Sequence, residues 1–306
     1  MIHNIKVKNF RGEELVMELE NPEPSGFAIF NMTGIGPEKA DVRITDIVTA
    51  DGGFYNSSRL PPRNIVLSLR YYRTEERTVE EIRHESYKYF AIKQPLTLTI
   101  ETDNRIGEIE GYTESNEPVI FSRESHTQIS IVCPYPYFYD GGPNGTMVTE
   151  FLAVEPLFEF PFSNESLTEN LLIMGEIWPE TTRAIFYPGD AEVGVTIHIF
   201  LVGPVSDITI YNPDTDQKMT ISNERLQVLT GSTLIEGDHI TIVTTRGNKS
   251  ISLTRAGVTY NILNALNRDA FWFQMVKGDN VFAYTAEMGL DHINFRIENR
   301  IVYEGM

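Results

Sequence analysis

The chain has 306 residues, 43 acidic against 25 basic, and a net charge of −18. That balance excludes general attachment to nucleic-acid phosphates and a polybasic membrane-surface patch, both of which need clustered lysine and arginine. A single cysteine excludes an intrachain disulfide, no apolar run approaches the roughly 20 residues of a membrane span, and the length predicts two domains.

The opening MIHNIKVKNF alternates and lacks the long apolar run of a signal peptide, so it reads as a strand. Arg11-Gly12 and Asp51-Gly52-Gly53 supply turns. Ile65, Leu67, Leu69 and Tyr71 share one face of a further strand. Residues 78–92, TVEEIRHESYKYFAI, predict a helix: Thr78 is the N-cap, Glu80 and Glu81 sit in the first turn, and Val79, Ile82, Ser86 and Tyr89/Phe90 lie near one face. Pairs Arg77–Glu81 and Glu80–His84 are expected to offset the like charges of Glu81 and Glu85.

The stretch ISIVCPYPYFYDGG, 129–142, begins as a strand with Ile129, Ile131 and Cys133 on one side. Pro134 and Pro136 have no N–H to give a ladder and end it. Tyr135, Tyr137, Phe138 and Tyr139 follow, then a joint from Asp140 to Gly145. The expected organisation is a domain over 1–133, a Pro/aromatic/Gly linker over 134–148, and a second domain over 149–306. The junction residues Cys133, Pro134, Tyr135, Pro136, Tyr137, Phe138 and Tyr139 are expected to fix the angle between the two.

Beyond the joint the same period-two pattern recurs. Val193, Val195, Ile197, Ile199 and Leu201 share a face, as do Ile208/Ile210, Ile240/Ile242, Ile251/Leu253 and Ile293/Phe295/Ile297. Turns at Asn212-Pro213-Asp214, Arg246-Gly247-Asn248 and Lys277-Gly278-Asp279-Asn280 divide them. A weaker helical turn is predicted over 258–266. Phe271, Trp272 and Phe273 are consecutive, so on a strand at least one points away from the core. With Trp178 they are candidate interface or sugar-platform aromatics. The fold class that results is mainly β, with one helix in the N-terminal domain and many short strands that argue for sandwiches or barrels.

Catalytic spacings are missing. His84-Glu85 has no second histidine to complete HExxH, and Gly34-Ile35-Gly36 lacks the third glycine of a dinucleotide fingerprint. No phosphate loop or nucleophile elbow occurs. The histidines His3, His84, His126, His198, His239 and His292 form no pair at ligand spacing, and His198 reads as a solvent-side or interface residue. Asp214-Thr215-Asp216 opens like a calcium loop, but Met219 stands where that loop needs glycine. Cys133 reads as a core thiol with no cation within five residues. No catalytic residue, metal ligand or cofactor is assigned.

The run RIGEIEGYTESNEPVIFSRESHTQISIVCPYPYF, 105–138, resembles the end of the N-terminal domain in the distal tail protein family of long-tailed bacteriophages, a baseplate hub family. EPLFEFPFSNESLTENLLIMGEI (155–177), IFYPGDAEVGVTIHIFLVGP (185–204), GDHITIVTTRGNKSISLTRAGVTYNILNAL (237–266) and the closing FWFQMVKGDNVFAYTAEMGLDHINFRIENRIVYEGM are similar to its C-terminal domain. The resemblance implies a non-enzymatic virion protein without cofactor, assembled in the bacterial host cytoplasm and located in the tail baseplate. It implies an N-terminal domain that closes a hexameric ring and a galectin-like C-terminal sandwich. Implied partners are copies of itself, the tail tube protein, a tail-tip, tail-lysin-like protein and, in some members, a receptor-binding protein; DNA passes through the ring without specific binding. The alternatives are a carbohydrate-binding adhesin using Trp178 or Trp272, and a glycan hydrolase using an unrecognised carboxylate pair.

Overall fold

The computed structural model describes residues 1–47, 51–122, 124–155 and 176–306. The chain divides into two units, Met1–Gly145 with Val302–Met306, and Thr146–Ile301.

The first unit runs β1 (Ile2–Asn9), β2 (Glu14–Glu18), β3 (Phe27–Thr33), β4 (Asp41–Asp46), β5 (Gly53–Arg59), β6 (Arg63–Tyr71), α1 (Val79–Tyr89), β7 (Pro95–Thr102), β8 (Ile106–Val119), β9 (His126–Cys133) and β10 (Phe138–Asp140). Its main sheet has the order β2-β1-β7-β8-β9-β6-β3, with β10 paired to β8. Alternation decides which face is inside: Ile65, Leu67 and Leu69 on β6 and Ile129 and Ile131 on β9 are fully buried, in the register Ile65↔Ile131 and Leu67↔Ile129. Ile5, Val7, Leu98 and Ile100 extend this core across β1 and β7.

Helix α1 starts as its sequence predicts. The Thr78 side chain accepts from the Glu81 backbone N–H while the Glu81 carboxylate accepts from the Thr78 N–H at 2.7 Å, a reciprocal capping box. The expected partners of its charges change for that reason. Glu81 is committed to the cap, so Arg77 pairs with Glu85 at 2.6 Å, and Glu80 pairs with Arg83 at 3.3 Å rather than with His84. Ile82 and Ser86 face inward, and Ile82 fills the space over Gly26, whose φ is +76°.

Strands β4 and β5 form a separate two-stranded hairpin between β3 and β6, and every residue of both is exposed.

The second unit runs β11 (Thr146–Glu150), β12 (Leu152–Glu155), β13 (Glu176–Pro179), β14 (Thr182–Tyr187), β15 (Val193–Gly194), β16 (Thr196–Leu201), β17 (Ile208–Asn212), β18 (Gln217–Ile221), α2 (Asn223–Thr230), β19 (His239–Val243), β20 (Ser250–Arg255), β21 (Val258–Asn261), β22 (Gln274–Met275), β23 (Gly278–Thr285) and β24 (Ile293–Arg300). A six-stranded sheet, β11-β24-β16-β19-β20-β21, faces a four-stranded sheet, β14-β23-β17-β18. Tyr284 of β23 stacks on Phe295 of β24 at 4.7 Å between ring centres, and Phe151 meets Phe295 edge-on at 4.8 Å. Ile197, Ile199, Ile240, Ile242, Leu253 and Ile297 are all fully buried.

The helical turn expected over 258–266 is a correction. Val258–Asn261 is strand β21, paired with β20, and only Leu263–Ala265 turns, as a 3-10 helix. The β-branched Val258 and Thr259 follow the turn at Ala256-Gly257, both at positive φ, which favours a hairpin there. The second helix lies instead at 223–230 and ends on Gly231 at φ +80°.

Thr146 opposes Arg300 in the β11–β24 ladder, so the second unit begins and ends side by side. The chain then returns to the first unit, where β25 (Val302–Tyr303) pairs with β10. Residues 134–145 belong to the first unit and Thr146 already opens β11.

Candidate functional site

The proline and aromatic stretch after β9 is organised by one buried cation. Arg63 opens β6 on the face of Ile65 and Leu67 and is fully buried. Its Nε donates to the Pro136 carbonyl at 2.6 Å, its Nη1 to the carbonyls of Gly34 and Gly36, each at 2.6 Å, and its Nη2 to the Glu304 carbonyl at 2.7 Å. The guanidinium also lies over the ring of buried Phe138, 4.9 Å from its centre. Burial pulls the Arg63 pKa down, opposed by the Glu38 carboxylate, yet an arginine stays charged at neutral pH. A flat fork of five N–H donors is the side chain suited to gathering carbonyls from three separate segments.

Each segment is shaped to approach it. Gly34 has φ +81°, and a Cβ there would stand 2.1 Å from the Asn64 carbonyl. Gly305 packs so closely on Gly36 that a Cβ would come within 2.9 Å of its carbonyl carbon. The Met306 N–H donates to the Ile35 carbonyl at 2.9 Å, and the Tyr303 hydroxyl donates to Asp140 at 3.1 Å. The Arg105 guanidinium sits over Tyr303 at 4.4 Å.

The predicted junction residues therefore fall in one place in the first unit. Cys133 is buried opposite Arg63 in the β6–β9 register, and burial pushes its thiol pKa up to about 12. Tyr135 stacks on Tyr139 at 5.2 Å and 9° and meets Tyr137 edge-on at 5.3 Å. Pro136 supplies a carbonyl to Arg63, and Pro134 is exposed. Sequence reading missed Arg63 itself. The available signal was its place at i, i+2 and i+4 to Ile65 and Leu67, which puts an arginine on the buried face. It also treated Gly34-Ile35-Gly36 as an incomplete dinucleotide motif, whereas its carbonyls are the ligands of the guanidinium.

In the second unit the three consecutive aromatics divide by environment. Phe273 is buried edge-on to Phe282, Phe271 is exposed, and Trp272 is half-buried with the Lys249 ammonium 5.4 Å from its ring centre. Trp178 stands on β13 opposite Ala153, and its side chain lies outside the described residues.

Two histidines far apart in sequence meet on the outer face of the six-stranded sheet. His198 Nδ1 and His239 Nε2 share a hydrogen bond at 3.0 Å, and Phe200 stacks on His239 at 4.0 Å. Glu298 lies 3.6 Å from His198 and pairs with Arg296 at 2.8 Å. Burial pulls both histidine pKa values below the usual value; the Glu298 carboxylate opposes this at His198, and the neighbouring His198 adds to it at His239. Beside them is a cleft of about 200 Å³ lined by Glu150, Leu152, Phe200, Asn294, Phe295 and Arg296. The other histidines stay apart: His3 pairs with Asp103, His126 with the Glu124 carbonyl, and His292 with the Pro204 carbonyl. Asp214-Thr215-Asp216 forms the turn between β17 and β18. No cluster of three metal-ligating side chains occurs among the described residues.

No family model matches the chain, and no curated protein matches it in sequence. Among solved structures, the crystal structure of the Dit protein of phage SPP1 matches with a TM-score of 0.62 at 11% identity, over 97% of this chain and 98% of that one. That protein is described as a paradigm of the hub adsorption apparatus in phages infecting Gram-positive bacteria. The likeness establishes a shared mainly-β fold along nearly the whole chain. The phage P2 baseplate in its activated conformation, with calcium or with strontium, aligns at 10% identity with TM-scores of 0.43 and 0.41, too low to place this chain in its fold.

Proposed function

We propose that this chain is a distal tail protein, a non-enzymatic hub of a phage tail baseplate. In this reading the first unit closes a ring, a hexamer, between the tail tube and the tail-tip protein, and the second unit faces outward, where host-recognition proteins attach. The observation that carries the reading is the fold shared with the SPP1 hub protein through both units. The geometry described above supports it. The polar constellation around Arg63 gathers backbone carbonyls and holds no group placed to transform a substrate. The outward positions of β8 present the carboxylates Glu108 and Glu110, with no partner among the described residues. Such charges suit a ring through which DNA slides without sticking.

Electron microscopy of virions carrying an antibody or gold label on this chain tests the reading. Label at the distal end of the tail, at the junction of tube and tip, is the expected result. Label on the capsid or side fibres, or its absence from intact virions, refutes it.

A further inference from the structure

The outer face of the six-stranded sheet carries a compact set of side chains for which the hub reading has no use. Strands β11, β24, β16 and β19 lie side by side, and their registers line up two rows across them. One row is Glu150, Arg296 and His198, and the next is Asn294, Phe200 and His239. Neighbours in a row stand about 5 Å apart and the rows about 7 Å apart, because adjacent strands and alternate residues repeat at those spacings. The buried Ile197, Ile199, Ile240 and Ile297 on the same strands fix this face as the outer one.

Phe200 is 36% exposed in the midst of these polar groups. His239 lies flat against one side of its ring, 4.0 Å between centres and 13° between planes. The other side turns toward β24, where the cleft of about 200 Å³ opens beside Asn294, Arg296 and Glu150. A ring backed by a second ring holds its orientation and offers a flat apolar wall, so a ligand stacking on it has little side-chain motion to freeze.

The polar rim is held just as firmly. Arg296 Nη2 pairs with Glu298 at 2.8 Å, and the other oxygen of that carboxylate stands 3.6 Å from His198 Nε2. His198 in turn shares its 3.0 Å hydrogen bond with His239, the residue behind Phe200. The Arg296 guanidinium lies 5.7 Å from the centre of the Phe200 ring, and its Nε has no partner among the described residues. The Asn294 amide and the Glu150 carboxylate have none either among those residues. One small cleft thus combines a flat apolar wall with open donors on Arg296 and Asn294 and open acceptors on Asn294 and Glu150.

That mixture selects a ligand class. A wholly apolar ligand would shut these polar groups away from water unpaired. An anion would meet the carboxylates of Glu150 and Glu298 together with the single guanidinium; Arg183, which donates to the Glu150 carbonyl, is paired with Glu180 at 3.6 Å and adds no net charge. A neutral sugar ring has a flat C–H face for Phe200 and hydroxyls that each donate and accept around its rim. Drug-sized ligands fill about 300 Å³ or more, so this cleft takes one ring and leaves the rest of a chain outside.

We propose that this cleft binds one neutral sugar ring of a glycan. Phe200 is the platform, Arg296 and Asn294 donate to ring oxygens, and Glu150 accepts from a hydroxyl. His198, His239 and Glu298 are positioning residues that hold the ring and the guanidinium in place. The site is separate from Trp178 and Trp272, and it stands on its own chemistry whether or not the chain belongs to a tail.

The full-length chain, applied to an array of neutral oligosaccharides beside phosphorylated and carboxylated counterparts, tests the proposal. Binding to neutral members is expected, weak for a single ring at a Kd on the order of 1 mM, since so small a contact buries little area. Titration of the bound oligosaccharide should show at least a tenfold loss in Phe200→Ala and in Asn294→Ala, at unchanged circular dichroism. Phe200→Tyr should retain binding because the flat ring remains, which separates loss of the platform from loss of the fold. Absence of any neutral ligand, a preference for the anionic members, or binding that survives both alanine variants overturns the proposal. So does binding lost only in Trp272→Ala. Distal label in virions without glycan binding removes this site alone. Glycan binding without label in virions removes the tail reading and leaves the site standing.

Discussion

Replacing Arg63 with methionine keeps most of the buried stem and removes the guanidinium. Four charge-assisted hydrogen bonds of 2.6–2.7 Å are lost. At about 1.5–3 kcal/mol each they would sum to more than the whole stability of many domains. The sum overshoots, because the variant no longer strips water from a charged group, and that cost is several kcal/mol. The carbonyls of Gly34, Gly36, Pro136 and Glu304 are left without their donor, and the expected net loss is about 3–5 kcal/mol. Arg63→Lys keeps the charge but offers one nitrogen to three segments, so it recovers only part of the loss.

The chain provides separate reporters for its two units. Both tryptophans, Trp178 and Trp272, lie in the second unit, and Cys133 lies in the first. In urea, Arg63→Met is expected to lower the midpoint for Cys133 labelling by about 2 M while the tryptophan transition moves little. Cys133 is a direct neighbour of Arg63, so amide exchange in β1 and β7 serves as a distant second reporter for the first unit. A shift below about 1 kcal/mol in those strands would refute the view that this guanidinium holds the first unit together. An equal shift in tryptophan fluorescence would refute its confinement to that unit.

Further outcomes are expected. With its pKa at about 12, Cys133 should react with a thiol reagent at pH 8 about a thousandfold more slowly in the native chain than in the unfolded one; stoichiometric labelling within seconds would contradict its burial. The Tyr284 hydroxyl is buried with no partner among the described residues, so Tyr284→Phe should leave the tryptophan-monitored transition unchanged or raise it by about 1 kcal/mol. A clear destabilisation would mean that the hydroxyl has a partner. His198 and His239 both titrate below 6.5 in the fold, so the unfolded chain takes up protons first as pH falls. Their contribution to the second unit is therefore full above about pH 6.5 and is lost as pH drops through the folded values. His198→Gln/His239→Gln should flatten that part of the stability profile, and an unaltered profile would remove the pair as its cause.

Period-two alternation marked which residues face inward wherever a strand has one wet side, and β6, β16 and β24 follow it residue by residue. Thr78 and Glu81 likewise carried the start of α1, because a cap is a contact between residues three apart. Helix α2 escaped notice because it is short and buries only Leu226, too little for a periodic signal. The candidate site was half legible: the prolines and aromatics after Cys133 stood out, but not the cation that organises them. Arg63 and Glu304 are 241 positions apart, and His198 and His239 meet across a strand pair from 41 positions away. Local composition and spacing determine faces, caps and turns, since those depend on neighbours along the backbone. Which strands lie side by side, and therefore which carbonyls surround a buried guanidinium, depends on chain crossings that no local window contains, and only the tertiary structure decided them.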